Sequence, residues 1–189
     1  MKMFRNLIVF FSALSATPAW ADVEFKIVTE SGFVAFAAAE EWPVVSMQPK
    51  MPVTASAFQI PNPADDGTPH STNLAFMFYE HGSAQAARAQ RSVGKQLGTQ
   101  KPSRENFLQW EVFRQEALQH ATTYVVLDAK RELAGVTASV RLAWPRLLKN
   151  SVSYDADMKR LFETALRSVT EHVGEYVPAE GETVRRPSQ

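Results

Sequence analysis

The chain has no cysteine. That excludes a disulfide framework, a lipid-modified N-terminal cysteine, and thiolate metal or redox chemistry. Glycines are few and scattered, among them Gly32, Gly67, Gly82, Gly94, Gly98 and Gly135, so no glycine-rich phosphate loop is present. Neither a G-x-S-x-G elbow nor an H-E-x-x-H run occurs, which removes the usual signatures of a serine hydrolase and a zinc protease. Charge of one sign never accumulates: 20 basic residues balance 20 acidic ones, without a long basic run. Nucleic acid and anionic membrane surfaces both select for clustered Lys and Arg, so neither is expected as a partner.

A long hydrophobic run is missing too. A membrane-spanning helix needs roughly 20 apolar residues, and the one apolar stretch, Leu7 to Ala16, falls well short. Lys2 and Arg5 precede it, Pro18 follows it, and Ala19-Trp20-Ala21 has the small-x-small pattern of a cleavage site. This order reads as a secretory signal peptide over 1–21, cut after Ala21, with Asp22 as the mature start. The stretch Ser15 to Phe25 is therefore read as a processing site. A periplasmic protein is expected, with no stable membrane anchor once the leader is gone. Loss of Lys2 and Arg5 tips the charge balance by two towards acid.

The remaining residues suffice for one cored domain, expected over 22–177. Ser31 to Met47 reads as a strand, a turn at Glu40-Glu41, and a second strand opened by Trp42-Pro43. Ala55 to Pro61 reads as a short or edge strand between prolines. Asn62 to Thr72 reads as a loop, and Asn73 to Tyr79 as a central strand buried on both faces. Ser83 is placed to cap a helix over Ala84 to Leu97. Phe107 to Ala117 fits strand better than helix. Thr122 to Lys130 and Gly135 to Trp144 are β-branched strands joined around Arg131 to Ala134, a hairpin. Met158, Leu161, Phe162, Ala165, Leu166, Val169 and Val173 form one apolar helical stripe. Asp155 and Asp157 stand at its expected N-terminus and Gly174 at its end. Residues 178–189 have no period and read as a disordered tail. The fold class is α+β: an antiparallel sheet with a long C-terminal amphipathic helix and a shorter mid-chain helix.

Gly32, Phe33, Phe36, Trp42 and Pro43 at the start, with the hairpin Thr122 to Trp144 and the helix from Asp155 to Val173 at the end, resemble the PsbP/Mog1-like (DcrB-related) α/β/α sandwich family. The resemblance covers most of the chain after the leader and rests on element order. Glu40-Glu41 stands where such chains usually carry Pro-Gly before the Trp. The resemblance implies a binding or assembly protein more than an enzyme, although fold alone does not fix function.

Residues with chemical potential form no complete set. Ser92 and Lys95 match S-x-x-K, but the companion Lys-Thr-Gly and Ser-Asp-Asn motifs are absent, so an exposed helical pair is the simpler reading. His70, His81, His120 and His172 show no metal-ligand spacing. A site from Asp65, Asp66, His70 and His81, or from His81 with Glu80, competes with solvated loop residues. The acid pairs Glu40-Glu41, Asp65-Asp66 and Asp155/Asp157 suit turns and caps better than acid–base work. No catalytic residue, cofactor or metal is expected.

Aromatics pointing off the sheet face away from the helix would make a contact surface, since aromatic anchors dominate interfaces. Trp42, Trp110 and Trp144 are the candidates, joined by Arg146, Lys149 and Tyr154 from the segment after Trp144. The expected function is an exported, non-enzymatic binding protein whose partner is another protein. Alternatives are an immunity protein against a periplasm-acting toxin, a periplasmic chaperone or assembly factor, and a small hydrolase.

Overall fold

The computed structural model describes residues 22–50, 52–61, 72–92, 103–119, 122–146 and 151–175. The leader, the loop after Pro61 and the C-terminal tail read from the sequence lie outside them. Ten strands and two helices are described. The strands divide into a seven-stranded antiparallel sheet, ordered β3-β4-β5-β9-β8-β7-β6, and a three-stranded sheet, β1-β2-β10. The helices are α1 (Ala84–Ser92) and α2 (Ser151–Ser168). The fold class is the α+β arrangement that the sequence implies.

In the small sheet, β1 (Asp22–Thr29) and β2 (Gly32–Ala39) form a hairpin in continuous register from Asp22 opposite Ala39. The strand β1 has no counterpart in the sequence reading. β10 (Thr170–Val173) pairs with the other side of β2.

The large sheet begins at β3 (Val44–Lys50) and β4 (Val53–Ile60). Contrary to expectation, β4 lies inside the sheet, between β3 and β5. Pro52 and Pro61 flank it without entering the ladder, while Pro49 sits in the edge strand β3, where a missing N–H is tolerated. β5 (Thr72–Glu80) is central, but its burial alternates. Leu74, Phe76 and Phe78 are wholly buried, whereas Asn73, Ala75, Met77 and Tyr79 on the other face are half-buried.

The ambiguous segment is a hairpin, β6 (Ser103–Phe107) and β7 (Trp110–Gln119). β8 (Thr122–Glu132) and β9 (Val136–Pro145) form the long hairpin, with its turn shifted to Leu133 through Gly135. Gly135 takes φ 84°, a conformation other residues avoid.

One face of the large sheet carries the core. Phe36 of β2 stacks on Phe76 of β5 at 4.3 Å, and Phe25 of β1 meets Phe58 of β4 edge-on at 5.5 Å. The small sheet thus covers the β4–β5 half. The apolar stripe of α2, from Met158 through Phe162 to Leu166, covers the next part against β9 and β2. On the opposite face α1 packs against β5, with the Ser83 hydroxyl accepting the Ala86 N–H at 3.0 Å as the expected cap.

The C-terminal helix differs from expectation at both ends. It starts at Ser151, so Asp155 and Asp157 lie within it, and it stops at Ser168, so Val173 belongs to β10. The Ser168 hydroxyl accepts the Ala37 N–H at 3.1 Å and donates to the Ala165 carbonyl at 2.8 Å, tying the helix end to β2. From there the chain continues as the third strand. Gly174 follows that strand, its N–H donating to the Ser31 carbonyl at 3.0 Å.

Candidate functional site: a cleft between the last helix and an edge hairpin

The cover over the core face is staggered. The small sheet and α2 leave the β6–β7 end of the large sheet overhanging, and a cleft of about 220 Å³ opens there. Its floor is apolar, made by Val112 of β7, Leu127 of β8, Trp144 of β9, and Phe162 and Leu166 of α2. These positions share the core-facing side because Val112, Leu127 and Trp144 follow the two-residue alternation of the paired strands. Phe107 of β6 closes one end, half-buried, with the Arg167 guanidinium 5.0 Å from its ring centroid.

Polar contacts bridge the cleft from α2 to the hairpin. Lys159 approaches Glu105 of β6 at 3.6 Å, and Arg114 of β7 approaches Asp155 at 3.5 Å. Asp155 also accepts the Trp144 indole N–H at 2.7 Å, which fixes the ring in the floor. Asp155, Lys159 and Glu163 recur every fourth residue, so one edge of α2 forms the cleft wall. Glu163 is half-buried and has no ion pair among the described residues.

The residues expected to form an aromatic surface are distributed differently. Trp110, Trp144 and Tyr154 are buried, and Trp42 is partly buried against the core. The cause is strand parity: Trp110 and Trp144 fall on the core-facing side, while Tyr154 turns inward from α2 to pair its hydroxyl with Thr72 Oγ1 at 3.0 Å. Of these, only Trp144 lines the cleft. Arg146 is exposed and held by both carboxylate oxygens of Glu116, at 2.8 and 2.9 Å. Lys149 lies outside the described residues.

The candidates for chemistry do not converge. Ser92 is the last described residue of α1, and Lys95 lies outside the described residues. His81 bonds Glu132 at 2.9 Å, not Glu80, and Thr137 donates to the same carboxylate oxygen at 2.8 Å. This pair borders a shallow hollow at the start of α1, open to solvent. Asp65, Asp66, His70 and His120 lie outside the described residues. His172 stacks on Phe33 at 4.3 Å. Among the described residues, no three potential metal ligands come together.

A second polar group, absent from the sequence reading, lies on the opposite face. Asp128 is 0% exposed, accepts from Arg141 Nε at 2.6 Å, and lies 3.4 Å from Gln115 Nε2. Its surroundings shift two neighbours. Burial pushes the Tyr79 hydroxyl above its ordinary range, with the Asp128 charge acting the same way and Arg141 opposing. Burial pulls Lys130 down, against the pull of Asp128, Glu111 and Glu132. A lone Asp and a lone Arg inside β-branched runs were the available signal.

No protein-family model matches the chain, and no curated protein matches it by sequence. Solved structures do. The Ran-binding protein Mog1p of Saccharomyces cerevisiae aligns over 82% of this chain and 96% of its own, at 12% identity and a TM-score of 0.49. LpqN, involved in cell envelope biogenesis of Mycobacterium tuberculosis, aligns over 76% of this chain and 88% of its own, at 11% identity and a TM-score of 0.42.

Proposed function

We propose that this chain is an exported, periplasmic binding protein that acts without covalent chemistry, and that it holds a protein partner at the cleft between α2 and the β6–β7 hairpin. The cleft carries the reading. At about 220 Å³ it is smaller than the roughly 300–1,000 Å³ of small-molecule sites. A hollow of that size, apolar below and charged at its rim, suits one anchor side chain of a protein, the arrangement found at interface centres. The bridging ion pairs are long; Lys159–Glu105 is solvent-exposed and Arg114–Asp155 partly so. Such pairs are worth about 0–1 kcal/mol, so a partner displaces them at little cost.

Export is supported by the leader pattern, and a cut after Ala21 leaves the described strand β1, Asp22–Thr29, in the mature chain. Among the described residues no helix is long and apolar enough to cross a membrane. An immunity protein and an assembly factor are special cases of this reading, and the identity of the partner separates them.

The test is capture from the native host. The full chain with its own leader and a C-terminal tag is recovered from the periplasmic fraction, and its intact mass and bound proteins are determined. The expected result is a bait beginning at Asp22 and one stoichiometric partner. That partner is lost with Lys159→Glu, which sets an acid beside Glu105 and Glu163, and kept with Met47→Lys on the far edge strand. A partner indifferent to Lys159→Glu would remove the cleft from the binding surface.

A further inference from the structure

We propose that a second docking surface, independent of the cleft, lies at the opposite end of the sheets. It takes an extended segment of a protein in which apolar and basic residues alternate. The segment adds to the free edge of β1 and lies over β3.

The backbone leaves that edge open. Among the described strands β1 pairs only with β2. Ala37 of β2 directs its N–H away from β1, to the Ser168 hydroxyl, and the Ser31 carbonyl likewise faces Gly174. The even-numbered residues of β2 therefore bond to β1, with Phe36 opposite Phe25 and Val34 opposite Ile27. Glu24 and Val28 accordingly point their backbone N–H and C=O groups to the open edge, where a further strand can pair.

The floor under such a strand is apolar. Where Phe36 stacks on Phe76 and Phe25 meets Phe58, β2 lies over β5 and β1 over β4. One strand spacing further, about 4.8 Å in either sheet, the large sheet continues as β3 while the small sheet has ended. Val44 stands opposite Phe58 and Met47 opposite Ser56, so both point to the core-facing side, yet they are 50% and 51% exposed. The bulge between Val44 and Ser46 absorbs one residue and sets these side chains two β4 positions apart, about 7 Å. An extended chain repeats its inward side chains at the same interval.

The occupant is a lone strand and not a second copy. Pairing β1 with β1 of another copy would bring that copy's β4 beneath its own β1, into the space that β3 fills. Charge sets the solvent-facing side of the segment. From Asp22 to Ile60, which spans β1 to β4, five acids stand against Lys26 and Lys50. The α-amino group made by a cut after Ala21 would still leave this balance acidic. Glu24, 3.6 Å from Lys26, lies on the outer side of β1, Glu30 in the turn at one end, and the exposed Glu40 and Glu41 at the other. Lys or Arg between the apolar positions is therefore favoured, with Glu24 opposite one of them across the ladder. So short a contact is weak and exchanges fast, unlike the stoichiometric partner of the cleft.

The test titrates capped peptides as long as β1 into the purified full chain: one alternating Lys and Val, one alternating Glu and Val, and a scramble of the first with its Lys residues together. The Lys–Val alternation should bind about tenfold more tightly than either control. At about ten times its Kd it should slow amide exchange about tenfold at Glu24 and Val28. Met47→Lys should weaken it about tenfold. Gln48→Lys puts the same charge on the opposite face of β3 and should leave it within about twofold. Each variant is first shown to keep its circular dichroism spectrum. Equal binding of the scramble, no binding by any peptide, or protection at Asn106 of β6 in place of β1 would overturn the proposal. So would loss of the peptide with Lys159→Glu, because that would seat it in the cleft. The cleft partner is lost with Lys159→Glu and kept with Met47→Lys, so the two readings fail separately.

Discussion

Asp128 has no exposed surface, yet it carries a carboxylate in the middle of a sheet. Removing a charge from water costs several kcal/mol unless a partner compensates, and here the partner is Arg141 at 2.6 Å across the β8–β9 ladder. Arg141→Ala leaves the carboxylate with only the longer Gln115 contact and should cost about 3–5 kcal/mol of stability. Replacing both residues with Leu should cost much less, because no buried charge then remains. Urea titrations of the two single variants and the pair, treated as a cycle, measure this. A loss under about 1 kcal/mol for Arg141→Ala would mean that water already serves Asp128. The pair was within reach of sequence reasoning, since both residues interrupt apolar strands. Pairing them needed the register, however, and a turn displaced by one residue assigns side chains to the wrong face.

The β6–β7 turn shows what an element tolerates at its tip. Leu108 adopts φ 54° and is 65% exposed, and it is the sole non-glycine with positive φ among the described residues. The left-handed conformation costs an L-residue about 1–2 kcal/mol, while glycine in its place brings a smaller entropic penalty. Leu108→Gly should therefore stabilise the chain by about 0.5–1 kcal/mol, read as a higher denaturation midpoint. An unchanged or lower midpoint would mean that the leucine makes contacts that offset its backbone strain.

Elements were legible in the sequence where a single period dominates. The stripe Met158, Phe162, Leu166 identified α2 because four-residue recurrence has one reading. Val173 fits that period as well but belongs to β10, because the Ser168 hydroxyl turns the chain onto β2. Periodicity does not encode such a tertiary hydrogen bond. The cleft was hidden for a related reason. Its wall, Asp155, Lys159 and Glu163, is a regular stripe that reads as a solvated face. Only the placement of β6 and β7 across from it makes it one side of a groove.

At the scale of the molecule, the small sheet joins the beginning of the described chain to its end. Gly32 permits this: a Cβ there would sit 1.9 Å from the His172 carbonyl oxygen, in a backbone with φ 149°. Gly32→Ala should therefore push β10 away from β2 and destabilise the chain by about 2–4 kcal/mol, a size typical of backbone and packing disruption. Thermal melting gives the loss, and hydrogen exchange should rise first at Thr170 to Val173. Normal protection of those amides in the variant would count against close approach as the reason for glycine. The overall architecture was readable from element order, but the division into two sheets was not. β1 carries charged residues on its outer side and no turn signal at its start, so it was absorbed into the processing region.

That same sheet has a consequence for timing. β2 lies near the start of the described residues and its second neighbour near their end, so the growing chain cannot complete the sheet until almost all of them have been made. If the proposed export precedes folding, the C-terminal strand acts as a clock, since the sheet is completed only late in passage.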